Sequence, residues 1–122
     1  MIRDHAFNLD AKNRIEVHSQ GEDRIRSFQV MLKHDHSSFL GEDYRIVAMF
    51  DHNEDPEAKG HDVVEEGLHI DIYNAYGEKI DEIPPVKIPH VVRRDHLGRT
   101  IRFCKGYLRN EKEYLVEKHL RG

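Results

Sequence analysis

"YRIVAMF", residues 44 to 50, is apolar on both of its alternating sides. In an extended chain Tyr44, Ile46, Ala48 and Phe50 point one way, and Val47 and Met49 the other. A run with no solvent side belongs in the interior of a sheet. The segments around it alternate instead. In "NRIEVHS", residues 13 to 19, Ile15 and Val17 oppose Arg14, Glu16 and His18. After the turn-forming "QGED", the stretch "RIRSFQVMLKH" keeps Phe28, Val30 and Leu32 in register. Downstream, "EEGLHIDIYN", residues 65 to 74, sets Leu68, Ile70 and Ile72 against His69, Asp71 and Tyr73. "NAYGE" supplies a turn at Gly77, so this strand forms a hairpin with "EKIDEI". Pro84, Pro85 and Pro89 then end the strand region.

The last third has helical periodicity. Leu97, Ile101, Cys104 and Leu108 recur every three or four residues as one apolar stripe. Arg99, Arg102, Lys105 and Arg109 fall on the opposite side of the same helix. Asp95 is the expected N-cap. Asn110, with Glu113 three residues on, reads as a break and a second N-cap. The final helix is expected to turn Tyr114, Leu115 and Val116 toward the sheet. The predicted fold is α+β: an antiparallel meander of about five strands, then two C-terminal helices packed on one face. A chain of 122 residues is one domain by length, here residues 1–122.

Composition narrows the function. No apolar run approaches the ~20 residues of a membrane span. "MIRDHAFNLDAKN" lacks the apolar core of a signal peptide. Cys104 is the single cysteine, which excludes an internal disulfide and a multi-cysteine zinc site. These features point to a cytoplasmic domain without a membrane partner. The formal charge of −4 conceals a segregation. Residues 51 to 82 carry eleven acids against Lys59 and Lys79, whereas residues 93 to 109 carry six Arg or Lys against Asp95. Such blocks either attract an anionic partner to the basic segment or neutralise each other in the fold.

The candidate chemistry lies in histidines. Four of the ten occur as Asp-His pairs: His5, His36, His52 and His96. "HDH" at 34 to 36 puts two imidazoles on one side of a strand end, but no distant third ligand is identifiable. "DHNEDPEAKGHD" at 51 to 62 has the composition of a calcium loop without the ligand spacing of an EF-hand. No P-loop, G-x-S-x-G or HExxH motif is present. The strongest combination is His69 with Asp71, which share a strand face and so hold an imidazole beside a carboxylate. His61 or His52 reaches that face if the intervening loop folds back. The expected catalytic residues are therefore His69, Asp71 and His61, with no cofactor. Arg93, Arg94, Arg99 and Arg102 are the candidates for holding substrate phosphates.

The stretch "YRIVAMFDHN…KGHDVVEEGLHIDIY" resembles the core of TumE-like proteins, small toxins of prokaryotic toxin–antitoxin pairs. Asp51, His52, His61 and His69 are the matching positions. The loop here is longer, and "HID" stands where paired histidines are expected. The resemblance covers residues 43 to 74 and implies a ribonuclease-type toxin with RNA as substrate and an antitoxin protein as partner. Two alternatives stand beside it. One is a non-enzymatic interaction module or homodimer that uses the acidic and basic segments; the other is a histidine-rich metal-binding protein.

Overall fold

The computed structural model describes residues 2–39, 41–57 and 61–122. Among them, six strands form one antiparallel sheet in the order β1-β2-β3-β4-β5-β6. They are β1 (Ile2–Asn8), β2 (Asn13–Gln20), β3 (Ser27–Asp35), β4 (Tyr44–Asn53), β5 (Ile70–Tyr73) and β6 (Lys79–Ile83). A one-turn helix α1 (Val63–Glu66) precedes β5, and α2 (Leu97–Asn110) and α3 (Lys112–Arg121) follow the sheet. The fold is thus the expected meander with C-terminal helices, with one strand more than the sequence indicates. The additional strand is β1, whose seven residues are all exposed. It is held at the sheet edge by backbone pairing to β2, so it carries no burial pattern from which to read it.

Strand periodicity selects the core face. Ile15, Val17, Phe28, Val30, Leu32, Ala48, Phe50, Ile70 and Ile72 are buried on the side that receives the helices. The helical stripe Leu97, Ile101, Cys104 and Leu108 closes over them, joined by Leu115 of α3. The α2 helix packs on β2 and β3, and α3 on β4 and β5. Val116 is partly buried against the core, but Tyr114 is largely exposed, contrary to expectation. No described helix is long and apolar enough to cross a membrane.

A β-bulge alters the reading of "YRIVAMF". Leu32 pairs with Ala48, but the next residue, Lys33, pairs with Ile46. Val47 is the extra residue, and it turns into the core beside Ala48, both fully buried. Before the bulge the faces are exchanged, so Tyr44 and Ile46 lie on the side away from the helices. The Arg14 guanidinium stacks over the Tyr44 ring at 3.8 Å on that side.

The helix starts also differ from expectation. Asp95 lies inside a 3-10 turn (Arg94–His96), and α2 begins after His96 with no side-chain cap. Asn110 does not restart the chain. The Glu111 N–H donates to Tyr107 O and the Leu115 N–H to Glu111 O, so the backbone ladder runs through the junction and no capping box is needed.

Candidate functional site

The alternation of β5 buries Ile70 and Ile72 under the helices and sends His69 and Asp71 out of the opposite face. On β4 the same period beyond Phe50 directs Asp51 to that outer face, and register brings the strands together by pairing Asp71 with Met49. The loop between them folds back. The Asn53 N–H donates to His61 O at 3.0 Å, which fastens the returning chain to the end of β4. Asp62 caps α1 by accepting from the Val64 N–H, and Gly67, at φ 84°, ends it in a conformation that favours glycine. His61 is thereby carried over His69.

The two rings meet nearly at right angles, with centroids 3.9 Å apart. His61 Nε2 lies 2.5 Å from Gly67 O, and His61 Nδ1 lies 2.9 Å from a Glu66 carboxylate oxygen. A carbonyl can only accept, so His61 Nε2 carries the proton. That same nitrogen is 3.0 Å from His69 Nδ1. His69 Nε2 faces Asp71 Oδ1 at 3.4 Å and Glu82 Oε1 at 3.7 Å. Asp51 completes the group. Burial raises its pKa, and Asp71 adds to the rise, while His69 and His61 oppose it.

Asp51, His69 and Asp71 each offer one ligand atom, and these atoms all lie within 4.8 Å of one another. The inner oxygen of Asp71 is buried and receives no hydrogen bond of good geometry. Its neighbour is the Lys79 ammonium at 3.0 Å, a close ion pair outside hydrogen-bond directions. Lys79 also pairs with Glu82 at 2.9 Å, which lowers the Glu82 pKa and raises its own. Two carboxylates on strands β4 and β5, with an imidazole from the residue just before β5, form a ligand set for a divalent first-row cation. The His61 Nε2–H that faces Gly67 O also stands against His69 Nδ1, which can only accept from it; the proton of neutral His69 is then on Nε2 and must leave that nitrogen for an ion to bind there.

His61, His69 and Asp71 thus converge as the sequence suggests. The arginines do not. The α2 helix lies on the core face, so the exposed side chains of Arg99 and Arg102 are separated from His69 by the sheet itself. Arg93 is exposed beside Asp95, at 4.0 Å. Arg94 is taken up by Glu54, Asp62 and Glu65 at 3.2 to 3.4 Å. There the acidic and basic blocks do neutralise each other. Arg99, Arg102 and Arg109 have no ion pair among the described residues.

His52 is a core histidine. It is 2% exposed on the inner face against Phe28, accepts from the Val63 N–H at Nδ1, and donates from Nε2 to Glu54 at 3.1 Å. Cys104 is fully buried, and burial pushes its thiol pKa well up, which removes it as a nucleophile. In the acidic loop Asn53 and Asp55 each accept a backbone N–H two residues on, so these side chains shape turns. Residues 58–60 of that loop, Lys59 included, lie outside the described residues. Asp51 was absent from the expected catalytic set. Carrying the β4 alternation two residues past Met49 would have placed it there.

The molecule is therefore an α+β meander protein with a His/Asp cluster on the sheet face that its helices leave open. The chain belongs to the family described as "Domain of unknown function (DUF7718)", whose profile matches residues 3–122. No curated protein and no solved structure shows significant similarity to it.

Proposed function

We propose that the outer face is a divalent-cation centre that hydrolyses phosphodiesters, with RNA as the substrate class. The observation that carries this reading is the mutual approach of Asp51, His69 and Asp71 within 4.8 Å. Metal-independent cleavage would need an acid and a base on either side of the scissile phosphate. His61 and His69 instead touch each other at 3.0 Å and leave no space between them. A cation bound by Asp51, His69 and Asp71 would lower the pKa of a coordinated water and neutralise charge on the phosphate. That second role replaces the one assigned to the distant arginines. His61 orients His69, Glu66 anchors His61, and Lys79 lies beside the cluster as a second positive charge. RNA is chosen through the TumE-like stretch, whose Asp51, His61 and His69 all sit in this cluster.

The test is cleavage of a mixed RNA substrate by purified protein with EDTA, and after addition of Mn2+. Activity that requires Mn2+ and disappears in Asp51→Asn supports the centre. Cleavage unaffected by EDTA, or no Mn2+ binding at millimolar concentration, overturns it.

A second reading, association through β1, rests on one observation. This strand is exposed and stands at the edge of the described sheet, the position at which a strand from a second copy or an antitoxin adds by backbone pairing. Sedimentation equilibrium of the protein alone tests the homodimer.

A further inference from the structure

The strand end "HDH" and the last helix meet on the inner face of the sheet, opposite the carboxylate cluster. His34 and His36 are two apart on β3 and its extension, and His119 comes from the buried side of α3, itself 0% exposed. The ring centroids are 5.0 Å apart for His36 and His119, 5.2 Å for His34 and His36, and 6.4 Å for His34 and His119. We infer that His34, His36 and His119 form a second cation site, an all-imidazole site for a late first-row ion such as Zn2+ or Ni2+.

The hydrogen bonds around the rings carry the inference. His119 Nδ1–H donates to Tyr73 O at 2.5 Å, since the carbonyl can only accept. His34 Nδ1–H donates to Asn13 Oδ1 at 2.7 Å; the Asn13 amide is oriented because its Nδ2 donates to both Asp10 carboxylate oxygens at 3.1 Å. In each ring the Nδ1 proton is anchored, so a neutral ring presents the Nε2 lone pair. That is the arrangement by which proteins fix the tautomer of metal-bound histidines. His36 Nε2 stands 2.7 Å from His119 Nε2 and donates to it.

The fit requires small movements. Two nitrogens on tetrahedral zinc, each about 2.0–2.1 Å from the ion, lie about 3.3 Å apart. The 2.7 Å contact between His36 and His119 must therefore open, and the proton of His36 must move from Nε2 to Nδ1 so that Nε2 presents a lone pair. The three nitrogens do not yet converge as closely as the atoms of the Asp51 cluster, so binding also draws His34 inward. His34 and His36 both move, and His36 does so from the partly exposed strand end. The nearest carboxylate in sequence, Asp35, is engaged by the Ser37 and Asp43 backbone N–H groups. With imidazoles alone, the site favours Zn2+ or Ni2+ over Mg2+ or Mn2+. An ion here would tie α3 to the sheet.

The experiment uses the Asp51→Asn/Asp71→Asn double variant, which lacks the outer centre, and titrates it with Zn2+ by calorimetry while recording ring 15N shifts. One equivalent is expected to bind, shifting the ring nitrogens of His34, His36 and His119 and raising Tm by about 5 °C or more at saturating zinc. His36→Ala, at the exposed end, is expected to fold normally and to lose at least tenfold in zinc affinity. His119→Asn gives the same loss wherever it folds. No zinc binding by the double variant, unchanged affinity in His36→Ala, or shifts confined to other histidines would overturn the site. Failure of Mn2+ to bind the parent protein bears only on the outer centre.

Discussion

The Lys79 ammonium stands 3.0 Å from the buried Oδ1 of Asp71, so the carboxylate that would face a metal already has a cation beside it. The pair competes with an incoming ion. Half-exposed ion pairs contribute about 0.2–1 kcal/mol. Lys79→Met should therefore raise Mn2+ affinity of the outer centre by about 1.4- to fivefold. Calorimetric titration of the two proteins decides it; weaker binding by the variant would show that Lys79 assists the site.

His69 and His61 differ in rank. His69 supplies the imidazole of the centre, and its side chain faces away from the core, so His69→Ala should remove about 2–4 orders of magnitude of RNA cleavage with little loss of stability. His61 acts through His69, and its removal should cost about 10–100-fold in metal affinity. Paired measurements of kcat/KM, Mn2+ affinity and Tm separate these roles. Equal cleavage by His69→Ala and the parent would leave the face as polar surface.

Arg99 and Arg102 project from the far side of the sheet. Arg99→Glu/Arg102→Glu should leave cleavage of a short oligonucleotide within about twofold of the parent, since each 1.36 kcal/mol of barrier change is tenfold and neither side chain reaches the site. A tenfold fall in kcat/KM would mean that RNA wraps around the sheet edge.

The bulge at Val47 predicts unequal costs along one strand. Phe50 is fully buried, and Phe50→Ala should destabilise by about 3–5 kcal/mol. Ile46 is only partly buried on the outer face, so Ile46→Ala should fall below the about 2–5 kcal/mol of a core position. Urea unfolding of both variants measures the difference, and equal costs would place Ile46 in the core.

Arg24 grips both oxygens of Glu54 at 2.8 Å, and this pairing lowers the Glu54 pKa from its ordinary 4.5 to about 2. A depressed carboxylate pKa stabilises the fold above the unfolded value and ceases to do so as pH falls through the folded one. Glu54→Gln should therefore be less stable than the parent at pH 7, and the gap should close between about pH 4.5 and pH 2. Denaturant midpoints across that range test the sign; a gap that widens on acidification would refute it.

Periodicity determined five of the six described strands, most of the side chains that share a buried side on each, and the stripe of α2, because burial imposes a period of two on strands and near 3.6 on helices. It also determined that His69 and Asp71 share a face, since residues two apart on a strand must. The rest was decided by contacts between segments far apart in the chain. The bulge that turns Val47 inward and Ile46 outward arises from the pairing of β4 with β3, and no local pattern in "YRIVAMF" announces it. β1 left no signal because an edge strand can be held by backbone bonds without burying a side chain. Asp51 joins His69 only through the register of β4 with β5, and His61 only through a loop that folds back on Asn53. The third partner of "HDH" is His119, 83 residues beyond His36, brought near because α3 docks across β4 and β5. Which side of the sheet the helices cover is likewise a tertiary choice. By burying Ile70 and Ile72 beneath them, the fold set His69 and the arginines of α2 on opposite sides.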